Sequence, residues 1–285
     1  MSTAQAMDQT EHIDGALIQH GPFSDRVYLM KLERDADVPA VIARIEALAT
    51  RNGYGKLFVK ARIAVERVFL AAGYRREGFV EKLFDGREDG VFLCRYPDPA
   101  RMQDARADVI ADVIAVAQTK AGKPLAADEP PFRIARATEA DAPEMADLYR
   151  AVFPSYPFPI FDPAYLRETM RSHIVYFTAR DDDGRLAAAA SIEMDPAAAN
   201  AEMTDFAALP ACRGKGIATH LLRAMEREAP ALGIRTGFTI ARAMSHGMNA
   251  TFARLGYTFG GTLVNNTQIA GRIESMNIWH KSLNY

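Results

Sequence analysis

The chain has 285 residues, 49% hydrophobic and 25% charged, with a formal net charge of -2 at pH 7. That length suits one large or two modest domains with apolar material for a core, and the near-neutral balance carries no footprint for nucleic acid or an anionic membrane. Two cysteines, Cys94 and Cys212, cannot staple such a chain; with no long apolar run and a polar, acidic start, the expectation is a reducing cytoplasm.

In chain order, VYLMKL (27–32) reads as a strand and residues 37–53 as a helix. KLFVKAR (56–62) is a strand, 64–73 a helix, and 81–96 a hairpin. A helix over 100–122 closes this part. Pro124, Pro130 and Pro131 then mark a seam. The expected division is an N-terminal α/β domain at 1–123, a linker at 124–131 and a second domain at 132–285. FRIARAT (132–138) begins the second domain as a strand, and a helix over 139–153 follows with Thr138 as its N-cap. A helix over 162–173 starts with Pro163, and a hairpin over 173–195 turns at Asp183 and Gly184. Next come a strand over 201–210, a helix over 216–231, a strand over 234–241, a helix over 246–256 and two strands near 257–266 and 272–281. The order β-α-α-β-β-β-α-β-α-β-β predicts an α/β (α+β) fold with helices on the faces of a mixed sheet. FLAAGY (69–74) echoes FARLGY (252–257), each after a strand and helix and before a hairpin. A common helix ending produces such an echo; the expectation here is a degenerate copy of the same fold, with no second active site.

RGKGIA (213–218) falls where a strand gives way to a helix. Its glycines leave backbone N–H groups uncrowded, and the helix start adds unsatisfied donors and the positive dipole end. Arg213 and Lys215 add attraction for an anion. The spacing is neither a Walker loop nor GxGxxG, so the pattern predicts a phosphate or pyrophosphate cradle of another kind.

Arg213, Gly216 and Ala218 in R-x-x-G-x-A resemble the acyl-CoA motif of the GNAT N-acetyltransferase superfamily. That resemblance implies a GNAT-like, mostly antiparallel sheet over about 132–285 and acetyl-CoA as co-substrate. It further implies pyrophosphate on the N–H groups from Lys215 to Thr219, through Gly216, Ile217 and Ala218, with Gly214 just ahead as a further cofactor-binding candidate. Pantetheine would run along 204–209, split from 235–241, and an N–H near Ala208 would polarise the carbonyl. The segments YPFPIFDPAYL, SHGMNATFARLGYTFGGTLVNNT and RIESMNIWHKSL are similar to the β-lysine N6-acetyltransferases. This closer likeness implies acetylation of the terminal amine of β-lysine, giving Nε-acetyl-β-lysine, a compatible solute. Another small-molecule amine acceptor, or a non-catalytic acyl-CoA sensor, are the alternatives.

A lysine-like amine of pKa near 10.4 is free base in about one molecule per thousand at neutral pH, a deficit of roughly 4 kcal/mol for a base to offset. Glu202 and Asp205 are the candidate bases. Regular alternation would put them on opposite faces, and a bulge would change that parity; Glu193 is a weaker competitor. In the tyrosine place of many relatives this chain has Phe252, which gives no proton. Ser245 holds the matching Asn place, with Asn249 one turn on. Both are cofactor candidates, with helix capping as the plain alternative. Tyr156, in a proline-flanked loop, and Asn265, Asn266 and Glu274 near the last turn are the acceptor-binding candidates, although paired asparagines also serve simple turns. Trp279 reads as core. The histidine spacing predicts no metal site; oligomeric state is open.

Overall fold

The computed structural model describes residues 8–123 and 132–283, so the predicted linker lies outside the described residues. The N-terminal half runs β1 (Gln9–Ile13), β2 (Ala16–Gly21), β3 (Arg26–Leu32), α1 (Val38–Asn52), β4 (Lys56–Arg62), α2 (Glu66–Ala71), β5 (Arg75–Phe84) and β6 (Glu88–Arg95). Helix α3 (Ala107–Gln118) leads to the C-terminal half: β7 (Arg133–Arg136), α4 (Ala142–Val152), α5 (Pro163–Ser172), β8 (Ile174–Arg180), β9 (Leu186–Asp195), β10 (Asn200–Ala208), α6 (Ile217–Glu228), β11 (Thr236–Arg242), α7 (His246–Arg254), β12 (Thr258–Ile269) and β13 (Arg272–Ser282). The element order predicted for the C-terminal half is the order observed. The sequence reading missed β1 and β2.

Local signals explain the helix ends. The Asp37 carboxylate accepts from the Ala40 N–H at the start of α1, and Gly53 in the left-handed region ends it. Thr138 and Asp141 form a capping box on the turn before α4. Asp162 caps α5 ahead of Pro163.

The strands form one sheet in the order β1-β2-β3-β4-β6-β5-β12-β13-β11-β10-β9-β8-β7. Only β3–β4 and β10–β11 pair parallel. The order and directions of β1-β2-β3-β4-β6-β5 recur in β8-β9-β10-β11-β13-β12. Helix α1 joins β3 to β4 as α6 joins β10 to β11. The halves meet where Gly78 of β5 faces Gly261 of β12. Glycine is required there: a Cβ on Gly261 would lie 2.2 Å from the Glu77 carbonyl oxygen, at a φ of +135°.

The apolar core crosses this junction. Tyr28, Phe58 and Phe92 of the first half pack in one cluster with Tyr149, Phe238 and Leu263 of the second. On the opposite face, α6 and α7 cover Met203, Leu222, Phe252 and Trp279, and α3 joins that cluster through Ala117. Helix α1 and β2–β4 build a third cluster around Ile18, Ile45 and Leu57.

Candidate active site

Strands β10 and β11 pair only from Asn200–Glu202 to Thr236–Phe238. Beyond Glu202 they splay, and a cleft of about 650 Å³ opens between them. Thr204, Phe206 and Ala208 line one lip, with Thr239 and Ala241 on the other. At the outer end of β10 the chain turns through 213–216 into α6. Gly214 and Gly216 hold φ of +79° and +73°, a region side chains other than glycine rarely enter. The Arg213 guanidinium donates to the Ala208 carbonyl at 3.2 Å, tying the loop to the strand.

The N–H groups of residues 214–218 have no backbone acceptor among the described residues. Their convergence at a helix start fits a diphosphate, and Arg213, Gly214, Gly216, Ile217 and Ala218 border the cleft. One detail departs from the expected cradle. The Thr219 N–H donates to Gly216 O at 2.9 Å and is already used. The Lys215 ammonium lies over the Phe132 ring, 6.0 Å from its centroid. Ser245 borders the cleft but caps α7, accepting from the Met248 N–H at 3.4 Å.

The carboxylates lie deeper, at the vertex. Glu202 Oε1 accepts from the Ile240 N–H at 3.3 Å, and Glu193 faces Glu202 in register on β9. The register slips between Thr204 and Ala207, and Asp205 adopts a φ of +55°. This bulge cancels the alternation, so Glu202 and Asp205 both border the cleft. Their environments differ. Asp205 accepts from the Tyr156 and Ser191 hydroxyls, each at 2.6 Å, which fills one lone pair on each oxygen. Burial raises its pKa, and those two hydroxyls oppose the rise. Burial also raises Glu202, reinforced by Glu193; it raises Glu193, reinforced by Asp205, while Lys60 of β4 draws both down. The Glu193–Glu202 pair is therefore the less committed one.

The far wall comes from the N-terminal half, and sequence reasoning missed it. Arg26 and Tyr28 of β3 and Phe58 of β4 line the cleft. The Arg26 guanidinium lies 5.2 Å from the Tyr28 ring centroid and 5.6 Å from that of Phe58. Its Nη1 donates to Asn266 O at 2.7 Å and Thr267 Oγ1 at 2.8 Å; its Nη2 donates to Gln19 Oε1 at 3.3 Å. Burial pulls its pKa down to about 10, so it stays charged at neutral pH. Neither Arg26 Nε nor Asn266 Oδ1 has a hydrogen-bond partner among the described residues.

Strand β12 bulges between Leu263 and Thr267 to meet this wall. Lys56 donates to Val264 O at 2.7 Å, and Glu77 accepts from the Val264 N–H at 3.0 Å. Asn265, expected at the acceptor, instead donates to the Arg101 and Gln103 carbonyls at 3.1 and 2.8 Å, with its φ at +45°. It is a clamp between the halves. Asn266 and Tyr156 do line the cleft.

Two further expectations are corrected. Asn249 is fully buried and spends its donors on Arg242 O and Ser245 O and its acceptor on Asn277 Nδ2 and Trp279 Nε1, leaving nothing for a cofactor. Glu274 is fully buried and held by Arg242, at 2.8 and 3.0 Å, and by Arg272 at 2.9 Å. Burial works to raise its pKa, but the two arginines outweigh that and hold it below the usual range. Phe252 borders the cleft edge-on to Phe206 and Tyr257.

A splayed parallel pair, a glycine-gated helix start and a carboxylate pair at the vertex share one cleft. The chain belongs to the acetyltransferase (GNAT) family, whose model matches residues 142–257, and it is an N-acetyltransferase. Its relatives extend the likeness over both halves. The Beta-lysine N(6)-acetyltransferase of Methanococcus maripaludis is 35% identical over 96% of this chain and 99% of its own length. N-acetyltransferase YodP of Bacillus subtilis is 34% identical over 94% of this chain and 96% of its own. The Beta-lysine N(6)-acetyltransferase of Methanosarcina mazei is 31% identical over 85% and 97%.

Proposed function

We propose that the enzyme transfers an acetyl group from acetyl-CoA to the N6 amine of β-lysine, within a complex that holds both substrates. The observation carrying this reading is that identity to a β-lysine N(6)-acetyltransferase spans 96% of the chain, including the N-terminal half that walls the cleft. Acetyl-CoA, when bound, supplies the acetyl group already activated as a thioester. The N–H groups of residues 214–218 would hold its diphosphate, and the lips of β10 and β11 its arm. Glu202, with Glu193 beside it, takes the proton that leaves the attacking nitrogen; a raised pKa makes each carboxylate a stronger base than an exposed one. Asp205 fixes the bulge and the Tyr156 loop through its two hydroxyl donors. Phe252 carries no ionisable group, so the protonated carboxyl pair is the proton reservoir the cleft itself offers. Tyr156, buried beside Asp205, and the half-buried Phe206 limit water at the attacking nitrogen.

The product chemistry gives the reaction a purpose. β-Lysine carries two ammonium groups and one carboxylate, and acetylation of N6 leaves a zwitterion without net charge. Such a product can accumulate in the cytoplasm as a compatible solute.

Thiol release with β-lysine, α-lysine and other diamines, followed by NMR of the product, tests the reading. β-Lysine should have the highest kcat/KM and carry its acetyl group on N6. Absence of β-lysine turnover, or acetylation at N3, overturns it.

A further inference from the structure

Several charges buried at the junction of the halves have an opposite charge within ion-pair distance. Lys56 meets Glu77 at 3.4 Å, Arg101 meets Asp25 at 2.7 Å, and Glu274 meets Arg242 and Arg272. Arg26 is only 4% exposed, yet no carboxylate reaches ion-pair distance among the described residues. Its contacts are neutral oxygens and two aromatic rings. A guanidinium so placed is poorly compensated until an anion completes it. A donor, Arg26 Nε, and an acceptor, Asn266 Oδ1, are both left open on the same wall. Glu193, Glu202 and Asp205 line the cleft as well, so it carries a cation at one place and carboxylates at another.

We propose that Arg26, with Asn266 beside it, anchors the carboxylate of an amino-acid acceptor, so that the N-terminal half selects the substrate whose distal amine the C-terminal half acetylates. Arg26 Nε donates to a carboxylate oxygen. Asn266 Oδ1 accepts from a nearby ammonium, which β-lysine places on its third carbon. Anchoring that end leaves the chain to extend toward the vertex, where only the N6 amine reaches the Glu193–Glu202 pair. The inference rests on the acceptor being an amino acid, as proposed above; it does not require that acceptor to be β-lysine.

The test compares kcat/KM for β-lysine with that for 1,4-diaminopentane, the same molecule without its carboxylate. The wild type should favour β-lysine strongly. In Arg26→Gln that preference should fall about 100-fold, the order expected when one member of a buried charge pair is removed. Because Arg26 also holds the bulge at 264–267, Asn266→Asp is the second variant. It places a carboxylate beside Arg26 as an internal counter-ion, so the preference should collapse with thermal stability and the KM for acetyl-CoA retained. Folded variants that both keep the wild-type preference overturn the anchor, as does a wild type that acetylates only amines lacking a carboxylate. A wild type that ignores β-lysine but acetylates another amino acid overturns the proposed substrate alone; the same ratio, measured on that amino acid and its decarboxylated amine, then decides the anchor.

Discussion

Glu202 and Asp205 are three residues apart and lie in the same cleft, but their partners set them to different tasks. Asp205 is occupied by two hydroxyls; Glu202 has a single backbone donor and a raised pKa. Glu202→Gln should lower kcat about 10²- to 10⁴-fold, the range for losing a general base, and leave acetyl-CoA binding intact. The rising limb of the wild-type pH–rate profile should lie above the ordinary carboxylate range, because burial and then Glu193 keep Glu202 protonated to higher pH. The same shift governs stability. A carboxyl whose folded pKa is raised stabilises below its unfolded pKa and loses that contribution as pH rises through the folded value. Glu202→Gln should therefore gain stability over the wild type as pH rises through neutrality, in thermal melts run across that window; a gap that narrows with pH contradicts the assignment.

Asn249 shows the reverse case, a polar residue that the sequence offers to the cofactor and the fold keeps for itself. Asn249→Ala strands the Asn277 and Trp279 donors and should cost about 2–5 kcal/mol in denaturant unfolding, with little change in the KM for acetyl-CoA. A large KM effect with unchanged stability would return Asn249 to the cofactor. The glycine loop was legible because it is local: RGKGIA states its backbone geometry within six residues. Arg26 was illegible because its partners on β12 lie 240 or more residues away, and nothing in SDRVY distinguishes a cleft guanidinium from a solvated one.

Among the elements, two irregular strands do most to shape the site. The bulge in β10 brings Asp205 to the Glu202 side, and the bulge in β12 carries Asn266 to Arg26. Binary pattern predicts strands and their faces but not the residue where pairing slips. The short β1 was hidden by its exposed, polar run QTEHI, and β2 has interior polar residues, Gln19 and His20, that break the apolar pattern. The joint between β5 and β12 is the element most exposed to a single methyl group. Gly261→Ala would press a Cβ against the Glu77 carbonyl at an unfavourable φ. The loss should be about 2–5 kcal/mol, read as a lower melting temperature with reduced activity. An unchanged melting temperature would mean that the two half-sheets do not pack this closely.

At the scale of the whole molecule, one half repeats the strand plan of the other but not its chemistry. The helix start of α1, topologically equal to the glycine loop at α6, is capped by the Asp37 carboxylate and follows the acidic turn ERDAD, so it disfavours an anion. The echo of FLAAGY in FARLGY pointed to this repeat, since both sit at the end of the helix before a hairpin. What the echo could not reveal is that the silent copy supplies a wall of the working cleft. The sensor alternative drew on that extra half and on Phe252; the wall gives the half a place in an enzyme. Because one apolar cluster crosses the junction, the chain should unfold in a single transition whose calorimetric and van't Hoff enthalpies agree. Two resolved transitions would mean that each half has its own core.

The central claim is that both halves build one acceptor cleft beside the glycine loop, and a crystal structure with coenzyme A and β-lysine tests it most directly. The diphosphate should lie against the main chain of residues 214–218, with the β-lysine carboxylate on Arg26 and its N6 amine beside Glu202. Well-ordered β-lysine that touches only the C-terminal half, with Arg26 left uncontacted, would contradict it.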